Sequence, residues 1–502
     1  MYQNKYPLNI NIIKGVYLPI KLADINMKKF IPTLLTGLLI ISCSPLQATN
    51  HIPVHTSTDN TPKNIIMVVG DGMGPAYTSA YRYYNDDPKT PEIEKTVFDR
   101  NFKGTSSTYP APESGYVTDS AASATALSTG VKTYNNAIGL NINRQPIETV
   151  LEYAKQKGKK TGVVVTVQIN HATPASYLAH NIHRYNYNAI ADSYIDDGIK
   201  ADLYFGGGWE YFIRKDRNLV NEFIESGFHY IDKYSEINTI PKNKPVLGLF
   251  DKTNLPWALD DTNKHRLLLM TQAATKQLEN KNGFFLLVEG SQIDYAGHAR
   301  DIAAAMAEMN DLAKTIEYLE TYVAENPDTL VVITADHSTG GLTIGKKTER
   351  SDPNINSKYL WKPEFLRTMT MSPKTIALKF TDKELTLAQV NELLSFEISS
   401  QDLNNLQQAK LIDQDIVKQF NLLSAADKKG KRTPKNHQSV LNVITKIIDM
   451  QTNTGWGSIS PSGTHTGIDV PVFAFGKGSE MFNGFQDNTD IGKKIFTLLG
   501  KN

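Results

Sequence analysis

Ile65-Ile66-Met67-Val68-Val69-Gly70-Asp71-Gly72-Met73-Gly74 is the stretch on which the fold reading turns. Five apolar residues, four of them β-branched, run straight into a glycine-rich turn that carries one acid. A strand apolar on both faces must be covered on both, as a parallel strand is between two layers of helices. Runs of the same kind recur at 163–167, 284–288, 330–334 and 470–475. Helical patterns at 120–128, 147–157, 264–280 and 302–326 separate them, the last with Met309, Leu312, Ile316 and Leu319 at helical spacing. Such alternation predicts an α/β fold: a doubly wound, mostly parallel central sheet with helices on both faces.

Outward from this framework the rhythm changes twice. Between about 346 and 460 there are helical pieces (386–395, 412–423 and 440–450) and a basic loop, Asp427–Arg432. We expect a large insertion on the main domain, with the basic loop a solvated turn. The N-terminal side differs in another way. Met27-Lys28-Lys29 precedes an apolar stretch, Phe30–Ile41, and then Ser42-Cys43. A cationic start, about a dozen apolar residues and small residues beyond them make an export signal too short to span a bilayer.

Ile40-Ile41-Ser42-Cys43 also resembles a bacterial lipobox, which implies a lipid on Cys43, the sole cysteine of the chain. The alternative is cleavage near Ala48 to release a soluble protein. The expected organisation is therefore an upstream extension and lipoprotein-type signal over 1–43, with Met27 the better start. A linker over 44–62 and one domain over 63–502 follow. The expected location is the periplasm or cell envelope, with the membrane reached only through the N-terminal anchor.

Composition sets broad limits. Of 502 residues, 40% are hydrophobic and 21% charged, and the formal net charge is +1. Counting from Ser44 removes five lysines and one aspartate and leaves −3. Neither value shows the basic excess of a nucleic-acid-binding protein, so no such recognition is expected. With no cysteine beyond Cys43, the exported domain must hold together without disulfides.

Ligands of open α/β sheets bind beyond the carboxyl ends of the strands. Asp71 follows the first run, and Asn170-His171-Ala172-Thr173 follows the second. Glu289, Asp294, Tyr295 and His298 come after the third, and Asp336-His337 after the fourth. Singly, each has an ordinary explanation. Asp-Gly is a common turn, and Asp294 with His298 at i and i+4 would suit a surface ion pair. Together, Asp71, Glu289, Asp294 and Asp336 at one sheet edge would repel one another unless cations lay between them. Imidazoles from His298 and His337 suit zinc, and an oxygen-only corner suits magnesium. Asp119-Ser120 opens a helix, where free N–H groups and the helix dipole favour an anion. A simple helix cap would use the same residues.

Taken in order, these blocks resemble the alkaline phosphatases. The residues that carry the likeness are 70–74, Tyr116–Ala126, Ala172–Ala175, Val288–Gly290, Thr334–His337 and Gly463–Gly467. The resemblance implies a hydrolase of phosphate monoesters, working through a phosphorylated Ser120 at a two-zinc, one-magnesium site. By position, one zinc would take Asp294, His298 and His465. The second would take Asp71, Asp336 and His337, with Ser120 as reacting ligand. Magnesium would take Asp71, Thr173 and Glu289, and Arg184 would grip the phosphate. His171 and Tyr295 stand where the best-known enterobacterial enzyme has aspartate and lysine. We expect His171 to reach magnesium through water and Tyr295 to hold phosphate less firmly than lysine. The resemblance also implies a homodimer. Ser120-Ala121-Ala122-Ser123 lacks the Pro-x-Arg pattern of a sulfatase. A phosphodiesterase, or a non-enzymatic metal- or phosphate-binding lipoprotein, remains as the competing reading.

Overall fold

The computed structural model describes residues 61–345, 360–429, 431–457 and 464–501. Cys43, the export segment and nearly all of the expected linker lie outside these residues, as do 346–359, Gly430 and 458–460 of the expected insertion. No helix among the described residues is long and apolar enough to cross a membrane.

Ten strands form one sheet. In chain order they are β1 (Asn64–Gly70), β2 (Phe102–Ser107), β3 (Lys160–Gln168), β4 (Leu203–Gly207) and β5 (His229–Ile231). After these come β6 (Val246–Leu249), β7 (Phe284–Gly290) and β8 (Thr329–Thr334). Two short pairs lie apart from the sheet, β9 (Ser338–Thr339) with β12 (His465–Thr466) and β10 (Leu342–Ile344) with β11 (Thr454–Trp456). The last two sheet strands are β13 (Val470–Gly476) and β14 (Gly484–Asp487). The spatial order is β14-β2-β13-β8-β1-β7-β3-β4-β6-β5. Only β13 runs antiparallel to its neighbours.

The expectation that β1 is covered on both sides is met residue by residue. Ile66 and Val68 enter one apolar layer, while Ile65, Met67 and Val69 enter the other. All five are fully buried. The first layer is closed by the helices Arg266–Leu278 and Ile302–Glu325, and the second by Ser120–Thr129, Val150–Gln156 and Asn488–Leu498. Burial on this scale contributes about 25 cal/mol per Å² of apolar surface, the main term favouring the fold.

Helix starts follow their caps rather than the apolar pattern. Val150–Gln156 opens at Thr149, which exchanges hydrogen bonds with Glu152 in a capping box. Ser400–Leu422 begins twelve residues before the expected helix at 412, because Ser399 and Asp402 form a second capping box. Its first turns, Ser400–Lys410, carry few apolar residues, so their periodicity is faint. The described part of 346–460 contributes the helices Pro373–Asp382, Leu387–Leu394, Ser400–Leu422 and Gln438–Thr452. Val440, Ile444, Ile447 and Ile448 of the last one join the apolar layer that holds Met306 and Met309.

Candidate active site

The central strands bring the candidate residues to one edge. Asp71 follows β1, Glu289 is the penultimate residue of β7, and Asp336-His337 follow β8. His171 precedes the helix Ala172–Leu178 beyond β3, and Asp294 and His298 lie on the helix Gln292–Ala299 beyond β7. His465 comes from β12, which pairs with β9 and so sets Thr466 opposite Ser338. Gly72 lets the first turn close. Its φ is +74°, and a Cβ there would lie 2.8 Å from the Asp294 Cα and 2.7 Å from Thr339 Oγ1. Only glycine admits both the left-handed backbone and that approach.

Two ligand sets result, each with donor atoms within 4.8 Å of one another. In the first, His298 Nε2 lies 3.3 Å from Asp294 Oδ2 and 3.2 Å from His465 Nε2. In the second, His337 Nε2 lies 3.4 Å from Asp71 Oδ1 and 3.2 Å from Asp336 Oδ2. Ser120 Oγ, at the first turn of its helix, is 3.1 Å from the same His337 Nε2. Thr173 and Glu289 meet nearby. Burial pushes the Glu289 carboxyl up to about 8, and the charges of Asp336 and Asp294 add to the shift.

Hydrogen bonds orient the imidazoles. The Thr339 hydroxyl donates to Asp294 Oδ1 at 2.6 Å and lies 3.1 Å from His337 Nδ1. With its own proton committed to the carboxylate, Thr339 accepts from His337 Nδ1–H, which leaves the Nε2 lone pair facing Asp71 and Asp336. His465 Nδ1 donates to the Thr118 carbonyl at 2.8 Å, and its Nε2 is likewise turned inward. Burial holds His465 down to about 4 and His171 to about 3, Arg184 adding to the second shift.

Uncompensated acid is the dominant electrostatic feature. Asp71, Glu289 and Asp336 are fully buried. Among the described residues, neither carboxylate oxygen of Asp71 or Glu289 accepts a hydrogen bond, nor does Asp336 Oδ2. Burial, then the charges of Asp336, Asp294 and Glu289, raise the Asp71 carboxyl well above the usual range. For Asp294 burial acts in the same sense, but hydrogen bonding to His298 and the three neighbouring histidines outweigh it and hold the acid ionised. Buried lone pairs without donors are costly, and a bound cation supplies what they lack. The donor chemistry fits: imidazole with carboxylate in both sets, and oxygen donors only in Asp71, Thr173 and Glu289.

Asp119 links the serine to a guanidinium. Its Oδ1 caps the helix by accepting from Ala122 N at 3.0 Å, and its Oδ2 accepts from Arg184 Nη1 at 3.1 Å. Arg184 Nη2 donates to His171 Nε2 at 3.3 Å, and Tyr295 Oη lies 3.4 Å from the same nitrogen. Every residue singled out in the sequence within 61–501 thus lies in or beside this site. Sequence reasoning missed Thr339, the Thr118 carbonyl and the clamp role of Asp119. Thr118 and Asp119 lie inside the quoted blocks and Thr339 two residues past one, but their roles are tertiary contacts.

A metal-dependent hydrolase, with its site at the strand ends of a doubly wound sheet, is the class that this fold and side-chain set define. More narrowly, the chain belongs to the alkaline phosphatase family, whose model matches residues 62–500, and it is a phosphomonoesterase. It is 41% identical over 449 residues to alkaline phosphatase 3 of Bacillus subtilis, covering 88% of this chain and 89% of that protein. Alkaline phosphatase 4 of the same organism is 39% identical over 485 residues, 94% of this chain and 97% of its own. Among solved structures, the cold-active alkaline phosphatase of a psychrophilic Shewanella sp. superposes with a TM-score of 0.76 at 45% identity. The match covers 87% of this chain and 99% of that one.

Proposed function

We propose that the enzyme hydrolyses phosphate monoesters in two displacements through a phosphoserine at Ser120, in a site built for two zinc ions and one magnesium ion. The observation that carries this reading is the convergence of two imidazole–carboxylate sets on one buried hydroxyl. Asp294, His298 and His465 would hold one zinc, Asp71, Asp336 and His337 the other, and Asp71, Thr173 and Glu289 the magnesium. Bound there, the ions would offset the buried acids and supply Lewis-acid stabilisation of the attacking and leaving oxygens.

The chain's own groups do the rest. Arg184, aimed by Asp119, gives two parallel N–H donors to phosphate oxygens, and the N-terminus of the helix Ser120–Thr129 adds its dipole. Ser120 Oγ forms a bond to phosphorus as the ester P–O bond breaks, and the alcohol departs with a proton. Water oxygen then bonds to phosphorus from the opposite side, and the P–Oγ bond breaks, returning a proton to Ser120. His171 sits between Arg184 and Tyr295 and fixes the guanidinium plane. In the TAB5 enzyme of an Antarctic bacterium, variants with one histidine replaced by glutamate or aspartate hold magnesium in a third site. That supports the view that the metal corner near His171 is sensitive to imidazole-for-carboxylate exchange.

The test is turnover of p-nitrophenyl phosphate before and after chelation, with zinc and magnesium restored separately. Loss on chelation and recovery with both ions supports the site, and full activity in chelator refutes it. Export, lipidation at Cys43 and homodimer formation complete the proposal, supported by the 27–43 segment and by family likeness. Intact mass and light scattering of the purified protein test them.

A further inference from the structure

A cleft of about 940 Å³ has in its lining His298, of the first ligand set, and Tyr295, which touches His171. That is the upper part of the range for small-molecule pockets, far more room than an orthophosphate needs. Building on the phosphatase reading, we propose that this cleft holds the alcohol portion of the substrate, and that it selects sugars carrying a second phosphate.

Three features of the lining point to that class. Trp257, half-buried on the loop after β6, offers an aromatic face with Leu255 beside it, suited to the C–H face of a sugar ring. Asp301 also lines the cleft. It is 1% exposed, its Oδ1 caps the helix Ile302–Glu325 by accepting from Ala304 N, and its Oδ2 has no hydrogen-bond donor among the described residues. A buried acceptor without a donor, on a cavity wall, is satisfied by a ligand hydroxyl. Lys374, Lys435 and Gln438 line the same cleft.

Lys374 lies in the first turn of the helix Pro373–Asp382, whose cap Ser372 holds Asp260, and Gln438 opens the helix Gln438–Thr452, whose first N–H groups are taken by Asp413, so the two ammonium groups are the cations this wall offers. Among the described residues neither lysine makes an ion pair. The other acids of the lining, Asp251 and Asp260, are engaged with backbone or hydroxyl donors. Asp260 accepts from Ser372 N at 2.8 Å and Ser372 Oγ at 2.6 Å, and Asp251 from Lys252 N at 2.6 Å. Two lysines without an ion pair among the described residues, in a cleft that His298 also lines, mark a place for a second anion on the same substrate.

The experiment compares kcat/KM for fructose 1,6-bisphosphate with that for fructose 6-phosphate, in the intact enzyme and in Lys374→Ala/Lys435→Ala. The wild-type ratio is expected to favour the bisphosphate by about tenfold, an increment in keeping with one well-placed charged hydrogen-bond pair. In the double variant the ratio should fall to about one. A wild-type ratio within twofold of unity, or a ratio unmoved by the double substitution, would overturn the proposal. Calorimetric titration of the same bisphosphate into Ser120→Ala protein reads the cleft without turnover. Binding weakened about tenfold by the two lysine substitutions supports the proposal even if Ser120 chemistry proves wrong, and lysine-independent binding or none counts against it.

Discussion

The imidazole of His337 lies face to face on that of His465, ring centroids 3.5 Å apart and planes tilted by 20°. Yet His337 belongs with Asp71 and Asp336, and His465 with Asp294 and His298. The stack ties two ligand sets into one rigid unit, and Thr339 braces it by touching both Asp294 and His337.

Because the sets share a wall but no ligand, they should be separable. His465→Ala is expected to lower bound zinc from two toward one per chain and to cut kcat/KM by at least about 100-fold. Elemental mass spectrometry of the dialysed variant decides it. Loss of both ions together would show that the stack, not the ligand sets, controls binding.

Asp119 serves two partners, and its removal should show as two effects. Asp119→Ala is expected to cost about 1 kcal/mol of stability through the lost cap. It should also raise KM for a small phosphate ester about tenfold, as Arg184 loses its anchor. Arg184→Ala should lower kcat/KM by about 100-fold with no loss of stability attributable to the cap. Urea melts and steady-state kinetics on the two variants separate the roles, and identical profiles would contradict them.

Gly72→Ala tests the crowding at the first strand end. The new Cβ meets the Asp294 backbone in a left-handed conformation, so about 1–3 kcal/mol of strain is expected. Part of it would be relieved by displacing Asp294, with weaker zinc retention as the second consequence. Thermal unfolding with and without chelator measures both, and a wild-type melt in each would show that the turn has slack.

A pH-dependent term lies away from the site. Glu152 accepts from His180 Nε2 at 3.0 Å and from Thr149 N at 2.8 Å, and Lys200 lies 2.7 Å away. Burial opposes ionisation, but these partners outweigh it and draw the carboxyl down to about 2. An unfolded glutamate titrates at about 4.3. The folded form therefore releases its proton more readily, and the stabilisation is complete above the unfolded value and lost as pH falls through about 2. Glu152→Gln should be less stable by about 2 kcal/mol at pH 7, a figure reduced for residual exposure. The gap should close between about pH 4 and 2. Denaturant unfolding of metal-free wild type and variant across that window checks the sign, and a constant gap would contradict it.

The parts of the fold that were legible are those in which one segment carries its own signal. β1, β3, β7, β8 and β13 are apolar on both faces, and no other placement would bury them. β14, at the sheet edge, and β2 beside it, with Lys103, Gly104 and Thr105, are polar strands whose identity comes from their neighbours. β4, β5 and β6 are too short to show a period. The ligand types could be read because four acids share strand ends. The orienting contacts could not: Thr339, the Thr118 carbonyl and the Asp119–Arg184–His171–Tyr295 chain join segments tens to hundreds of residues apart. Their geometry exists only after the sheet has formed.

The stereochemistry of phosphoryl transfer tests the phosphoserine claim most directly. A monoester made chiral at phosphorus with oxygen isotopes would be turned over with an alcohol acceptor and the product configuration read. Two displacements through Ser120 give retention. Inversion would mean that the acceptor attacks the substrate directly, and Ser120 would then be no more than the first residue of a helix that binds phosphate.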